Sequence, residues 1–420
     1  IEHASYRKYV KKSPEELTAT NREIFLDKWR EVLAGHGPNN EDLYETAARR
    51  HVARAGTIVI VDAYPRWKHN AGARRLFEII QGYQALGFGI IVVSPPDPRE
   101  PFYEAQFNRL GVQQRNIEDE NLLGYLKLIK SEVRFFHVAR AENMVWFMNR
   151  IAPTFTRTKV VFDTVDLYFL REEREYNLFA EKMPRRAAAA LAQSREQELR
   201  MVSLADITLV VSTYEMELLN ELASGGQVEL LSNAHPTPHS QGLEWREREG
   251  LIFVGNFHHR PNEDGITWFL TEIYPLIVEQ LGPVPLAVVG VPAPKHLEHD
   301  DIPAVEMVGW VDDLEDTYGR ARVAIAPLRF GAGIKGKVGE SWVHGVPVVM
   351  TGIAAEGMNL EGQLAEFISD DPREFAEAVI KLLTDEPLWS SMSALSKSQA
   401  ETHFGQATFT KALSRIVGLL

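Results

Sequence analysis

From Thr57 onward the chain alternates short apolar runs with longer stretches of helical spacing. Apolar strands are expected at 57–62, 88–94, 133–138, 159–163 and 207–211, with helices between them, notably at 72–86, 140–151 and 171–203. Short apolar strands that alternate with helices point to a parallel sheet buried on both faces. The polar stretch from Asn233 to Gly250, with Pro236 and Pro238, reads as a linker. A second series starts at Leu251, with strands expected at 251–254, 286–290, 304–308, 322–327 and 346–350 and helices at 262–281, 312–320, 337–344 and 372–384. Residues 388–420 are expected to be helical. The pattern predicts an α/β protein of two Rossmann-like domains facing a cleft, with ligands at the carboxyl ends of the strands.

Ahead of these series, residues 13–35 read as a helix with Ser13 as cap, Pro14 in the first turn and Glu15 and Glu16 near its N-terminus. Phe25, Trp29, Val32 and Leu33 form a stripe at helical spacing, and 41–54 suggest a second, linking helix. The expected division is a helical extension at 1–55, an N-terminal domain at 56–240, a C-terminal domain at 241–400 and a last helix at 401–420.

Composition narrows the class. The 420 residues are 45% apolar, enough for large cores, and the formal charge of −13 gives no overall basic field for nucleic acid. There is no cysteine, so disulfides and thiolate metal sites are excluded, and a cytoplasmic protein with at most peripheral membrane contact is expected. No apolar run approaches the roughly 18 residues of a membrane span. The chain begins at Ile1 rather than Met, as a piece of a longer polypeptide would.

The most informative chemistry lies between Pro327 and Met358. An apolar strand enters a glycine-rich loop carrying Gly333, Lys335 and Lys337, and the loop opens a short helix holding Glu340. Glycines admit close approach of an anion, and a helix N-terminus offers free N–H groups. Two ammonium groups beside them suit a diphosphate, and Glu340 can accept hydrogen bonds from two sugar hydroxyls, so the block suggests a nucleotide site. The competing reading is an ordinary strand–loop–helix crossover. Asp163 and Asp166 end another strand, but no third ligand stands nearby in sequence, so no metal site is expected. Asp166 also reads as a cap for the helix that follows it.

The block resembles the nucleotide-sugar half of family 4 glycosyltransferases, retaining enzymes of the GT-B fold. Their Gly-rich loop precedes Glu-Ala-x-x-x-Gly-x-Pro-Val-Val, and here the segment is Glu340-Ser-Trp-Val-His-Gly345-Val-Pro347-Val-Val. The resemblance implies that Glu340 holds the donor ribose and that Lys335 and Lys337 face the diphosphate. A glutamate common eight residues earlier is here Ala332, so a sugar-side contact is lost. The first-strand loop implies donor contacts at Gly72 and Arg74. The strand opening the second domain implies them at Gly255, Asn256, His259, Arg260 and Asn262. Gly309, Trp310 and Val311 would border the base, and Glu356 and Gly357 the diphosphate or ribose. Asp166 and Tyr168 match a segment beside the donor sugar where relatives often carry a histidine. Ser212 would cap a helix and serve structure. The last helix of such folds crosses to the N-terminal domain, for which Phe409, Leu413, Ile416 and Leu419 are available.

The implied activity is transfer of a sugar from a nucleotide-diphosphate sugar to a glycan or lipid-linked acceptor in bacterial surface polysaccharide synthesis, without metal or cofactor. A sugar-nucleotide 2-epimerase and a non-catalytic scaffold of a larger polymerase are the alternatives. The stripe from Asn21 to Leu33 is also similar to the tail that closes family 2 transferase domains, which implies a fused or associated glycosyltransferase partner.

Overall fold

A computed structural model of the protein describes residues 14–28, 30, 55–97, 100–184, 186–223, 225–239, 242–292, 302–360 and 362–420. Seven parallel strands form the first sheet: β1 (Thr57–Val61), β2 (Gly89–Ser94), β3 (Gln113–Asn116), β4 (Val133–Ala139), β5 (Lys159–Asp163), β6 (Ile207–Val210) and β7 (Gln227–Leu230). They lie in the order β3-β2-β1-β4-β5-β6-β7. The second sheet holds β8 (Glu249–Val254), β9 (Leu286–Val289), β10 (Val305–Gly309), β11 (Ala321–Ala326) and β12 (Val348–Met350) in the order β10-β9-β8-β11-β12, again all parallel. Each sheet reverses its winding beside its first strand, between β1 and β4 and between β8 and β11. Crossovers leave that point in opposite directions, so a crevice opens there at the carboxyl ends of the strands.

The central strands are largely apolar because helices cover both faces; β1 reads Thr-Ile-Val-Ile-Val and every residue of it is buried. The edge strands β3 and β7 are Gln-Gln-Arg-Asn and Gln-Val-Glu-Leu. Neither carries an apolar run, since an edge strand is half-covered, and both are additions to the strands that the sequence pattern predicts.

Proline and glycine divide three of the expected helices. The 171–203 stretch is two helices, Tyr168–Leu178 and Ala187–Leu204, and Pro184 lies in the break, where it has no N–H to donate. The 262–281 stretch is Arg260–Trp268 and Tyr274–Leu281 joined by a π-helical turn, Phe269–Ile273, just before Pro275. The C-terminal helix breaks at Gly405 into Glu386–Phe404 and Gln406–Val417. The last of these packs Phe409, Leu413 and Ile416 into the core of the first sheet, against residues such as Ile58, Tyr83 and Phe135, while Leu419 stays exposed. Gly82 permits that crossing, because a Cβ there would lie 2.4 Å from Leu413 Cδ2.

In the extension, Pro14–Lys28 is helical with Phe25 exposed beside Ile24 and Leu26. Trp29, Val32, Leu33 and the expected helix at 41–54 lie outside the described residues. No helix among the described residues is long and apolar enough to cross a membrane.

Gly82→Val is expected to lower stability by about 1–3 kcal/mol through overpacking, even though glycine is a poor helix former. Thermal melting checks this. The penalty should shrink in a Leu413→Ala background, and an unchanged melting temperature in the native background would refute the close crossing.

Candidate functional site

The second sheet supplies the floor of the crevice. After β8 the chain turns at Gly255, whose N–H donates to Val289 O at 2.9 Å. A Cβ at Gly255 would sit 2.9 Å from Asn262, so glycine lets that side chain close on the turn. Asn262 donates its amide to Asn256 O at 2.8 Å and accepts from Lys337 Nζ at 2.7 Å. Lys337 Nζ also lies 4.0 Å from the centre of the Phe253 ring. Burial, then the neighbouring charge of Lys335, lowers the Lys337 pKa to about 7.

Lys335 is buried and turns back on its own loop, donating to Ala332 O at 3.0 Å and Gly333 O at 2.6 Å. Burial brings its pKa down to about 8, against the opposing pull of Glu356 and Glu215. The two lysines therefore differ: Lys335 braces the loop, and Lys337 stands over the β8 turn. No side chain caps the N-terminus of helix Gly336–Val343, where Lys337 occupies the first turn.

Glu340 follows one turn later on the same helix. His235 Nδ1 donates to Oε2 at 2.9 Å, and His344 Nε2 stands 3.8 Å from Oε1. Burial opposes the charge of this carboxyl, but the two histidines outweigh it and hold it well below the usual carboxylate range. Tyr318 stacks on His344 with centroids 5.3 Å apart and planes 10° apart. Glu340 remains 28% exposed, so solutes can reach it. Sequence reasoning found Glu340 and missed both histidines. The i,i+4 spacing of Glu340 and His344 was a usable signal; for His235, in the linker, there was none.

The first sheet faces this floor. Gly72 leaves room for Arg140, since a Cβ there would sit 2.7 Å from Arg140 Nη2. Arg140, from the end of β4, pairs with buried Asp62 at the end of β1. Arg74, expected as an anion contact, pairs instead with Glu78 at 3.2 Å, one turn along its own helix. Asp163 is engaged by Arg75 (Nε to Oδ2, 2.9 Å) and Asp166 by Arg171. Asp166 does not cap the following helix: Glu198 accepts from Tyr168 N and Phe169 N, and Glu215 accepts from Leu167 N. Tyr168 donates to Glu142 at 3.4 Å, and burial, then that carboxylate, raises its pKa.

Several residues expected at the donor make contacts between the domains. Gly333 N donates to Glu215 at 2.9 Å, and a Cβ on Gly333 would lie 3.0 Å from Asp166 Cβ. A Cβ on Gly357 would lie 2.5 Å from Ser212 Cβ, while Ser212 itself accepts from Glu215 N as a helix cap. Glu356 pairs with Arg174 at 2.5 Å, and Arg260 with Glu175. Trp310, 40% exposed, meets His69 across the cleft mouth with centroids 4.8 Å apart. Gly309 O accepts from Gly290 N at 2.8 Å, and Val311 packs on the core beneath. His259 precedes the helix Arg260–Trp268 and donates its N–H to Asn256 O at 3.2 Å.

Two crevices at the switch points of two facing parallel sheets, closed by a crossing C-terminal helix, define a known architecture. The fold is GT-B. Residues 248–385 match the family model described as "Glycosyl transferases group 1", a span that includes the β8 turn, both lysines and Glu340. The chain is similar in structure to Anabaena HepE, solved with UDP and glucose, at 13% identity and a TM-score of 0.63 over 87% of this chain and 100% of that one. It is similar to sucrose-phosphate synthase from Thermosynechococcus elongatus at 13% identity and TM-score 0.62, over 86% and 98% of the two chains. A TarM mutant from S. aureus aligns at 7% identity and TM-score 0.59, over 86% and 99%. No match was found among curated proteins.

Removing the Asp163 charge tests what Arg75 holds. Burial opposes ionisation of Asp163, but Arg75 and then His137 hold its carboxyl far below the usual range. A depressed carboxyl contributes stability above its unfolded pKa and loses it as pH falls through the folded value. Asp163→Asn should therefore cost about 3–5 kcal/mol at pH 7, with the gap narrowing below pH 4. Denaturant melts at both pH values decide; a gap that does not change with pH would contradict the ion pair.

Proposed function

We propose that the protein is a retaining glycosyltransferase, moving a sugar from a nucleoside-diphosphate sugar to a glycan or lipid-linked acceptor, as in bacterial surface polysaccharide synthesis. The observation that carries this reading is Glu340. It is a partly exposed carboxylate kept ionised, one turn beyond Lys337 on a helix whose N-terminus opens into the crevice beside β8. A ribose diol fits the carboxylate, and a diphosphate fits Lys337 and the free N–H groups before it. The group 1 match over these residues and the UDP in the HepE structure support a nucleotide sugar as donor. Backbone groups at Gly309–Val311 would read the base edge.

In the reaction, the bond between the anomeric carbon and the diphosphate oxygen breaks as the acceptor oxygen bonds that carbon on the same face. The acceptor's proton passes to a leaving phosphate oxygen, so no protein nucleophile is required. The protein contributes position and charge at the departing phosphates. Lys337 supplies that charge directly and Lys335 by bracing its loop, so turnover should persist in excess chelator. Asp166 and Tyr168 face the donor sugar from the first domain; with its raised pKa, Tyr168 acts as a hydrogen-bond donor rather than a base. Ala332 leaves the donor sugar without a carboxylate, which favours slow transfer as the second reading, with nucleotide binding intact.

Hydrogen bonds to a charged group are worth about 1.5–3 kcal/mol, so Glu340→Ala should weaken nucleoside-diphosphate binding roughly tenfold or more. Calorimetric titration of the folded variant checks this, and equal affinities would remove the ribose role.

Proton uptake gives an independent check. At pH 8 Lys337, with a pKa of about 7, is mostly neutral, and a bound diphosphate favours its charged form. Titrations at pH 8 in buffers of different ionisation enthalpy should show net proton uptake that Lys337→Gln reduces, any remainder belonging to Lys335 with its pKa of about 8. Uptake undiminished by Lys337→Gln would place the phosphates elsewhere.

A further inference from the structure

We propose that His235, presented by the linker, is a positioning residue that sets the Glu340 carboxylate for a ribose diol. This rests on the donor-site reading above and extends it to a residue outside the matched span 248–385.

Three parts of the protein fix the imidazole. Just before it, Arg75 of the first domain donates to Leu231 O at 2.7 Å, Ser232 O at 3.2 Å and Asn233 Oδ1 at 3.3 Å. His235 N donates to Phe404 O at 2.8 Å, a carbonyl at the break before Gly405. The ring is 8% exposed, edge-on to Phe404 with centroids 6.1 Å apart. On the other side it lies against Gly339, where a Cβ would come within 2.4 Å of Nε2. A side chain at position 339 would displace the ring.

The hydrogen-bond inventory fits the role. The acceptor at Oε2 is a carboxylate, so Nδ1 carries the proton, and the buried Nε2 has no partner. An ionised carboxylate offers about four lone-pair sites. His235 takes one on Oε2, and His344 approaches Oε1 from the other side. The remaining directions suffice for two vicinal hydroxyls. A carboxylate steered at both oxygens before a ligand arrives loses less rotamer freedom when it binds.

A merely structural histidine would hold the linker and affect every ligand alike. The test is calorimetry with whichever of UDP, GDP and ADP binds the wild type most tightly, and with its 2′,3′-dideoxy analogue. His235→Ala should weaken the ribonucleotide roughly tenfold, about the 1.4 kcal/mol of one hydrogen bond, and leave the dideoxy analogue unchanged. His235→Asn, whose amide can replace Nδ1–H, should restore most of the affinity. Gly339→Ala should reproduce the selective loss by displacing the ring while every linker residue stays unchanged in sequence, which keeps the test sound if His235→Ala folds poorly. In a Glu340→Ala background, His235→Ala should add nothing, as for two groups acting through one contact. Equal losses for both ligands, or a further loss beyond Glu340→Ala, would overturn the inference. So would a His235→Ala protein that still favours the ribonucleotide as strongly as wild type, with the donor-site reading left standing. A wild type that binds none of the three, or fails to separate the tightest from its dideoxy analogue, would overturn the donor-site reading and this inference together.

Discussion

One buried guanidinium links the parts of this structure that matter for its chemistry. Arg75 is 2% exposed and lies in the helix after β1. Its Nε and Nη2 bond both oxygens of Asp163 at the end of β5, and its Nη1 turns to the first residues of the linker. A charge buried this deeply is tolerable only because every direction is met, and truncating one partner would strand the other. The consequence is geometric. The chain leaves the first domain at a fixed point and angle, and two residues beyond Asn233 it delivers His235 to Glu340.

The rest of the seam follows from that fixed exit. The glycine-rich loop of the second domain faces two ways. Its positive-φ Gly333 presses against Asp166 and gives its N–H to Glu215, while Lys335 folds inward and Lys337 looks onto the β8 turn. Glu215 and Glu198 are buried carboxylates, and burial raises their pKa values to about 7 and about 8. Glu198 accepts at both oxygens from Tyr168 N and Phe169 N, and Glu215 accepts at Oε1 from Leu167 N and Gly333 N, which ties the start of helix Tyr168–Leu178 to the loop. Small residues here serve close approach between domains as much as access for an anion, which is why glycine alone does not identify a phosphate site.

The architecture was legible because buried parallel strands carry apolar runs and helices keep their spacing: β5, with Val160-Val161-Phe162 at its centre, and the helix Pro372–Thr384 fall at their expected bounds. The edge strands β3 and β7 were not, since half-covered strands lose that signal. In the candidate site, Lys337, Asn262 and Glu340 could be read because they lie within one strand–loop–helix unit or begin the neighbouring one. Arg140, Glu215 and His235 could not. Each acts across a distance in sequence, and its own neighbourhood looks like an ordinary strand end, helix or linker. Arg74 misled for the converse reason: local sequence placed it at a helix start beside Gly72, but that space belongs to Arg140.

The central claim is that a nucleotide's ribose sits on Glu340 with its diphosphate at the N-terminus of helix Gly336–Val343. A crystal structure of the protein soaked with a nucleoside diphosphate tests it most directly. The account predicts both ribose hydroxyls within hydrogen-bond reach of the Glu340 carboxylate, His235 still on Oε2, and the phosphates between Lys337 and the Gly255 turn. A nucleotide bound on the first domain alone, or in the crevice with its ribose turned away from Glu340, would contradict it.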